Sequence, residues 1–341
     1  MSRAVASTLA CLALVTVFAA AEPSGPARAF LVDTFDLGPA DLTRIDTGRV
    51  YSRTLPVRHG REVATLGIVR IETTPQRYVE RLTDIVAFKR DDAVLQIGTF
   101  SAPPRLEDVA GLTLEEADVS RLRDCRVADC DVQLSADAIE RFRTDVDWRA
   151  PDAPRLATDL MRRILVEYVA RYQQAGSSAV MEYADSSARL SAADEFTSLL
   201  AADTRTWPRA PGLRRHLVEY PLVPKTGATD LVYWSKERVH RRPVISVTHL
   251  AIVPGEHQSP VAYAIGSRQI YAMHYFDVSL GITLLVPDTA ASPPATYVVY
   301  LNRSRIDLFD GVLGKLARKV VKGKAESLVA EQLGRLRRTL E

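Results

Sequence analysis

The sequence predicts an α+β protein with a long antiparallel sheet and a long C-terminal helix. Between residues 230 and 306, short segments with period-two alternation follow one another, separated by turn residues. The last segment, Leu308–Leu340, carries an apolar stripe at helical spacing. A strand followed by a helix opens the fold, and a helical region at about 100–228 separates this opening from the later strands. The sequence therefore predicts one domain, residues 49–341, with an inserted helical layer.

The first residues have the pattern of a secretory signal peptide. Arg3 precedes an almost entirely apolar run, and the small residues Ala19-Ala20-Ala21 form a cleavage site. We therefore expect a periplasmic or secreted protein that is cleaved near Ala21 and so loses Cys11. Residues 22–48 then form the mature N-terminal segment. Within it, residues 22–30 are predicted to be flexible, and residues 39–46 to form one or two helical turns.

The opening unit combines strands and one helix. Strands are predicted at Arg49–Pro56, Glu62–Glu72 and Ala93–Phe100. The second of these is apolar on both faces, which is typical of a buried strand. Between the second and third, Thr74 and Pro75 supply a cap and a first-turn proline for a helix through residue 85.

The middle region, residues 100–228, is predicted to be helical, and residues 230–306 are predicted to form strands. The predicted helices are Leu106–Ala117, Ser135–Thr144, Arg155–Gln173, Ala192–Ala202 and Pro211–Glu219. The predicted strands are Asp230–Val239, Pro243–Val253, Val261–Ser267, Arg268–Asp277, Gly281–Val286 and Thr296–Ile306. Gly266-Ser267 provides one of the turn signals between them. Consecutive strands with short connections predict an antiparallel meander.

Cys125 and Cys130 remain after signal cleavage, and they lie five positions apart. A close, even pair in an oxidising compartment predicts a disulfide. The spacing is not that of a thioredoxin-type redox pair or of a haem attachment motif, and no further ligands for zinc lie nearby in the sequence.

The opening unit and the end of the chain resemble a known family. The residues are Val69-Arg70-Ile71-Glu72-Thr73-Thr74-Pro75-Gln76-Arg77-Tyr78-Val79, continuing to Leu82-Thr83-Asp84, and then the meander that runs into the terminal helix. This order is similar to that of the helix-grip (START-like, SRPBCC) superfamily. The resemblance implies that the antiparallel sheet is wrapped on the long C-terminal helix. It also implies a cavity between the two that binds a lipid, sterol or polyketide-like molecule. Some members are cyclases or hydrolases, so the fold alone does not decide the activity.

Strand parity then predicts the residues that line such a cavity. The predicted ligand-binding residues are Tyr233, Glu237, Val247, His249, Ile270, His274, Phe276, Leu313, Leu316 and Val320. If Glu237, His249 and His274 converge, they supply acid–base groups or metal ligands. Alternatively, the two histidines are hydrogen-bonded core residues. In the interpretation adopted here, these groups are polar anchors in a mostly apolar pocket.

Composition and motifs narrow the function further. Lys and Arg number 44 against 42 Asp and Glu, which argues against a nucleic-acid partner. The sequence contains no nucleophile-elbow, phosphate-loop, dinucleotide or EF-hand motif, so no catalytic residue, cofactor or metal is predicted. The terminal helix has a basic face, which is either a solvated face opposite a core-facing apolar stripe or a peripheral contact with an anionic membrane surface. We therefore predict an exported binding protein for a hydrophobic molecule. The alternatives are a hydrolase- or cyclase-like enzyme using the same cavity and an interaction protein with a filled core.

Overall fold

The computed structural model describes residues 25–223, 227–239, 242–307 and 314–341, and the side chains of 314–322 are not described. The predicted signal peptide, with Cys11 and Ala21, lies outside these residues.

Ten α-helices are found in the described part of the chain. They are α1 (Pro26–Phe35), α2 (Pro39–Asp46), α3 (Pro75–Thr83), α4 (Ile85–Phe88), α5 (Glu116–Asp124), α6 (Ala136–Asp145), α7 (Ala153–Ala175), α8 (Ala192–Ala202), α9 (Pro211–Glu219) and α10 (Gly314–Leu340). The predicted bounds of α8 and α9 are confirmed. The predicted helix Leu106–Ala117 is wrong, because a short 3₁₀ turn at Leu106–Val109 is followed by α5, which begins only at Glu116.

The strands of the described residues build one large sheet and one small ribbon. They are β1 (Tyr51–Thr54), β2 (Glu62–Ile71), β3 (Val94–Phe100), β4 (Glu182–Tyr183), β5 (Leu190–Ser191), β6 (Thr229–Val239), β7 (Arg242–Pro254), β8 (Tyr263–Ala272), β9 (Phe276–Asp288) and β10 (Ala295–Ile306). The eight-stranded sheet has the order β1-β2-β10-β9-β8-β7-β6-β3, and every neighbouring pair is antiparallel. The chain is therefore an α+β protein with a large antiparallel sheet and a C-terminal helix.

One predicted turn in the meander is wrong. Gly266 and Ser267 lie inside β8, where Gly266 pairs with Ala251 and Ile282. The glycine serves close packing, since a Cβ there would lie 3.0 Å from Leu217 of α9. The actual turn follows β8 at residues 273–275, and Tyr275 adopts a left-handed conformation with φ of 69°.

The predicted flexible N-terminus is also wrong within the described residues. Pro26 starts α1 in its first turn, where its missing N–H costs nothing. Phe30, Leu31 and Phe35 of this helix are buried against the sheet. Helix α2 is the predicted pair of turns, and its Asp46 accepts a hydrogen bond from the Tyr297 hydroxyl of β10 at 2.7 Å. Residues 26–46, which form α1 and α2, therefore pack onto the sheet.

The two faces of the sheet carry different helices. On one face, called here the terminal-helix face, Val329 and Leu333 of α10 and Tyr78 of α3 pack with alternate residues of the strands, such as Val69 and Val298. Helix α10 lies against β1 and β2, and a Cβ at Gly67 of β2 would lie 2.5 Å from Val329. A bulkier residue at position 67 would therefore push the helix away from β2.

The opposite face, called here the insertion face, is covered by the middle region of the chain. Helix α7 buries Leu160, Ile164 and Tyr168 against β6, β7 and β8. Helices α8 and α9, together with α1, cover the other strands. The predicted disulfide between Cys125 and Cys130 is present in this layer, with a Cα–Cα distance of 4.4 Å. None of the helices in the described residues is long and apolar enough to cross a bilayer.

Asp185 follows β4, and its backbone oxygen accepts a hydrogen bond from the Cys130 amide. Burial raises the pKa of the Asp185 carboxyl to about 6. A carboxyl with a raised pKa in the folded state makes the free energy of unfolding fall as the pH rises from about 4 to about 6, because ionisation is easier in the unfolded chain.

We expect Asp185→Asn to remove this fall. The stability gained relative to wild type above pH 6 should be about 1–2 kcal/mol after allowance for solvent screening. Urea unfolding at pH 3.5 and 7.5 checks this, with the exposed Asp131→Asn as the matched control. A stability difference between Asp185→Asn and wild type that is the same at both pH values would contradict the expectation.

Candidate functional site

The structure divides the predicted cavity residues between the two faces of the sheet. Tyr233 and Glu237 of β6 lie on the terminal-helix face, where Tyr233 belongs to the same buried cluster as Leu250 of the neighbouring strand β7. Val247 and Ile270 are buried on the insertion face, in the core beneath α7. His249 lies on that same face, where it contacts Tyr172 of α7.

The predicted convergence of Glu237, His249 and His274 is therefore wrong. In β6 and β7, Tyr233 pairs with Thr248 and Val232 pairs with His249. Directly paired residues point to the same face, so His249 points away from the Tyr233 and Glu237 side. The sequence shows the alternation within each strand, but it does not show which row of one strand matches which row of the next.

His274 does not join Glu237 for a different reason. It lies in the turn after β8, not on a strand, and its Nε2 is 3.1 Å from Oδ1 of Asp118 in α5. Both side chains are buried, so the pair ties the helical insertion to the sheet. This arrangement matches the alternative that the sequence left open for the histidines, a hydrogen-bonded core residue.

Of the four remaining predicted residues, one lies at one end of the terminal-helix face. The side chains of the other three are not among those that the structure describes. Phe276 packs partly buried against Val63 and Ile306, next to Ala325 of α10. Leu313 and the side chains of Leu316 and Val320 lie outside the described residues, so their predicted role stays a prediction.

A row of polar side chains crosses the centre of the terminal-helix face. We call it the hydroxyl groove, and its residues are Ser246, Thr248, Ser267, Gln269, Ser279, Asn302 and Ser304. The register places them side by side: Thr248 opposite Gln269, Gln269 opposite Ser279, and Ser279 opposite Ser304. One face of four adjacent strands therefore presents hydroxyl and amide groups where a packed core would present apolar side chains.

Hydrogen bonds within the groove hold part of this surface in place. The Ser304 hydroxyl donates to Oδ1 of Asn302 at 2.8 Å, and Nδ2 of Asn302 donates to the Ser279 hydroxyl at 3.3 Å. By contrast, Oε1 of Gln269 is buried and has no hydrogen-bond partner in the described structure. Because buried acceptors are nearly always satisfied, this oxygen marks a place for a donor.

The groove is only half-buried although it lies on central strands. Ser246, Ser267, Gln269, Ser279 and Asn302 all keep intermediate exposure. Gly281 lies between two of them, opposite Ser267 and Asn302, and the Tyr300 ring lies 3.3 Å from the position that a Cβ would take there. The described helices therefore leave this part of the sheet accessible.

One ion pair stands at the β6 side of the groove. Nζ of Lys89, which follows α4, lies 2.8 Å from Oε1 of Glu237, and the Ser235 hydroxyl donates to the same oxygen at 2.6 Å. Burial alone would raise the pKa of Glu237, but the Lys89 charge and the hydrogen bonds from Lys89 and Ser235 together hold the pKa below its usual value. The two charges cancel, so the groove offers hydrogen bonds without net charge.

Apolar residues border the groove on the same face. Val86 and Phe88 of α4, together with Tyr233, flank its β6 side and are partly or fully buried. Nζ of Lys89 lies 5.5 Å from the centre of the Tyr233 ring. The groove thus combines an uncharged polar floor with an apolar border, so it offers both hydrogen bonds and apolar contacts to a small molecule.

Sequence reasoning missed the groove, although a signal for it is present. Ser279-Leu280-Gly281-Ile282-Thr283 alternates strictly, with small residues on one row. In Tyr300-Leu301-Asn302-Arg303-Ser304 one row is likewise polar, although Arg303 interrupts the apolar row. When each strand is considered alone, a polar row of this kind indicates a solvent-exposed face. Only the sheet order shows that both rows meet on central strands.

A second cluster lies on the insertion face. Nε2 of His216 (α9) and Nε2 of His249 (β7) lie 2.7 and 2.8 Å from Oδ1 of Asp230 (β6). The three ligand atoms lie within 4.8 Å of one another, so they are close enough to share one metal ion. Nδ1 of His249 is 2.8 Å from the Tyr172 hydroxyl.

Burial and hydrogen bonding set the charges in this cluster. Burial opposes ionisation of Asp230, but hydrogen bonds from both histidines hold its pKa well below its usual value. Burial also lowers the pKa of His249. Asp230 is therefore an anion beside a neutral His249 at neutral pH.

Comparison with protein-family models and with curated proteins finds no match to this chain. The fold and the two sites described above therefore carry the functional argument.

Proposed function

We propose that the chain is an exported, periplasmic or secreted binding protein for an amphipathic small molecule such as a lipid. The ligand lies on the terminal-helix face, with its polar groups on the hydroxyl groove and its apolar part against the border. The supporting observation is the half-buried row of hydroxyl and amide groups on central strands, together with the unpartnered Gln269 oxygen. A buried acceptor gains most from a ligand that supplies a donor.

The architecture is consistent with the helix-grip interpretation. The strand–helix opening, the meander and the terminal helix follow in the order that the resemblance implies, and α3 and α10 pack on the same face of the sheet. The helical insertion occupies the opposite face. A ligand site between the sheet and the terminal helix would therefore be left clear of the insertion.

The lining of the groove also favours a ligand whose polar end is uncharged. Lys89 and Glu237 neutralise each other, and the remaining lining is uncharged. An ionic headgroup would lose its hydration without gaining a counter-charge, which is unfavourable in a partly buried site. We therefore expect a neutral, hydrogen-bonding end, such as the glycerol of a diacylglycerol, in preference to an anionic lipid.

The proposal includes a membrane contact through the basic face of the terminal helix. Lys324 is exposed, while Lys315, Arg318, Lys319 and Lys322 lie outside the described side chains. A basic amphipathic face binds anionic lipid surfaces and is weakened by salt. Uptake of ligand from anionic vesicles should therefore slow as salt is added.

Native mass spectrometry of the mature chain tests the function. The protein is mixed with phosphatidylcholine vesicles that contain a diacylglycerol, and separately with cardiolipin vesicles. We expect one diacylglycerol per chain and about tenfold weaker retention in Gln269→Met, which removes the orphaned oxygen but keeps the side-chain length. The exposed His59→Ala serves as the control. Failure to take up the diacylglycerol, preferential uptake of cardiolipin, or equal uptake by Gln269→Met would contradict the proposal.

A further inference from the structure

Two histidines and one aspartate meet on the insertion face, away from the hydroxyl groove. His216 comes from α9, Asp230 from the start of β6, and His249 from the middle of β7. Imidazole nitrogen with one carboxylate oxygen is a common ligand set for zinc in proteins. Asp230 lies 14 positions from His216 and 19 from His249, on three consecutive elements that the fold brings together.

We propose that His216, Asp230 and His249 bind one Zn²⁺ ion, with a water molecule in the fourth position. The site is separate from the proposed ligand groove, and it stands whether or not that groove binds a lipid. It also differs from the metal site weighed from the sequence, because neither Glu237 nor His274 takes part.

The spacing of the three ligand atoms fits this proposal after a small movement. The nitrogens lie 2.7 and 2.8 Å from the carboxylate oxygen. Tetrahedral zinc with bonds of about 2.0–2.2 Å separates neighbouring ligand atoms by roughly 3.4 Å. Each nitrogen must therefore move away from the oxygen by about 0.6 Å, which side-chain rotation can supply.

The cluster can change from hydrogen bonding to zinc binding without either histidine ring losing a proton. Both rings donate from Nε2 to Asp230 in the hydrogen-bonded cluster, and zinc binding needs the tautomer with hydrogen on Nδ1. In that tautomer, Nδ1 of His249 donates to the Tyr172 hydroxyl, 2.8 Å away. A metal-bound histidine usually donates its second nitrogen in this way, and the partner fixes the ring orientation.

Access to the site comes through Asp230. The two histidines are almost completely buried, whereas the Asp230 side chain is 24% exposed. Water in the fourth position would therefore lie on the Asp230 side. With zinc bound, α9 would be fixed to β6 and β7, joining the helical insertion to the sheet.

The test uses the purified mature chain, stripped with a chelator and then dialysed against Zn²⁺ or Co²⁺. We expect one zinc per chain by elemental analysis, and visible Co²⁺ absorption of the intensity typical of four-coordinate sites. Tyr172→Phe should weaken zinc affinity about 10- to 100-fold while leaving the Co²⁺ bands in place, because Tyr172 positions His249 without touching the metal.

The variants separate metal loss from misfolding. Asp230→Asn keeps an acceptor oxygen for a histidine but removes the anionic ligand, and we expect at least tenfold weaker zinc binding with the fold intact by circular dichroism. His59→Ala and His257→Ala change exposed histidines and should bind zinc as wild type does. Wild type that retains no zinc, or zinc uptake that Asp230→Asn leaves unchanged, would overturn the proposal and leave a hydrogen-bonded cluster.

Discussion

Gly281→Leu should abolish ligand uptake while the protein still folds. A Cβ at Gly281 would lie 3.3 Å from the Tyr300 ring and 3.4 Å from Cβ of Ser267. The leucine must therefore extend into the hydroxyl groove and occupy it. We expect binding of a neutral lipid to fall by more than tenfold, with a stability loss of about 1–3 kcal/mol from the added volume. Native mass spectrometry and urea unfolding measure the two effects.

A smaller substitution at the same position and the same substitution at a distant glycine are the controls for Gly281→Leu. Gly281→Ala adds only the Cβ, and we expect binding within about threefold of wild type. Gly111→Leu places the same leucine at an exposed glycine with no neighbour near its Cβ position, and it should change neither property. If Gly281→Leu retained full uptake, the ligand would lie elsewhere.

Gly176→Ala should cause the largest loss of stability of any alanine substitution proposed here. Gly176 ends α7 with φ of 58° and ψ of −130°, a conformation that residues with a Cβ rarely adopt. A Cβ would also overlap the backbone oxygen of Tyr220. Because a backbone atom cannot swing aside, we expect the free energy of unfolding to fall by about 3–5 kcal/mol.

Denaturant unfolding of Gly176→Ala beside Gly111→Ala measures this effect. The second variant should lie within about 0.5 kcal/mol of wild type, because its backbone needs no glycine and its surroundings are open. A loss below about 1 kcal/mol for Gly176→Ala would show that α7 and the segment at Tyr220 do not approach each other as described.

Local patterns in the sequence predicted most elements of the sheet. Thr74 and Pro75 start α3, and period-two alternation finds β6, β7 and β10 within two residues of their ends. The error at Gly266 arose because glycine signals both a turn and a close contact, and only the packing of α9 decides between them. The same limit applies to α1, whose Pro-rich start reads as a flexible end until the sheet supplies a surface for Phe30.

The candidate sites depended on information that the sequence does not contain. Glu237 and His249 each lie on a plausible row, but the pairing of Val232 with His249 sends them to opposite faces. His216 and Tyr172 belong to the helical insertion, so nothing local in the sequence connects them with His249. Strand register and tertiary contact, not residue type, determine both the hydroxyl groove and the His–Asp cluster.

Photo-crosslinking tests the central claim, that the terminal-helix face binds the ligand. A neutral lipid carrying a diazirine next to its polar end is loaded onto the mature chain, irradiated, and mapped by peptide mass spectrometry. We predict adducts on β8, β9 and β10 at groove residues such as Ser267, Ser279 and Asn302, and their loss in Gly281→Leu. Adducts confined to the insertion face, or adducts that Gly281→Leu does not reduce, would contradict the account.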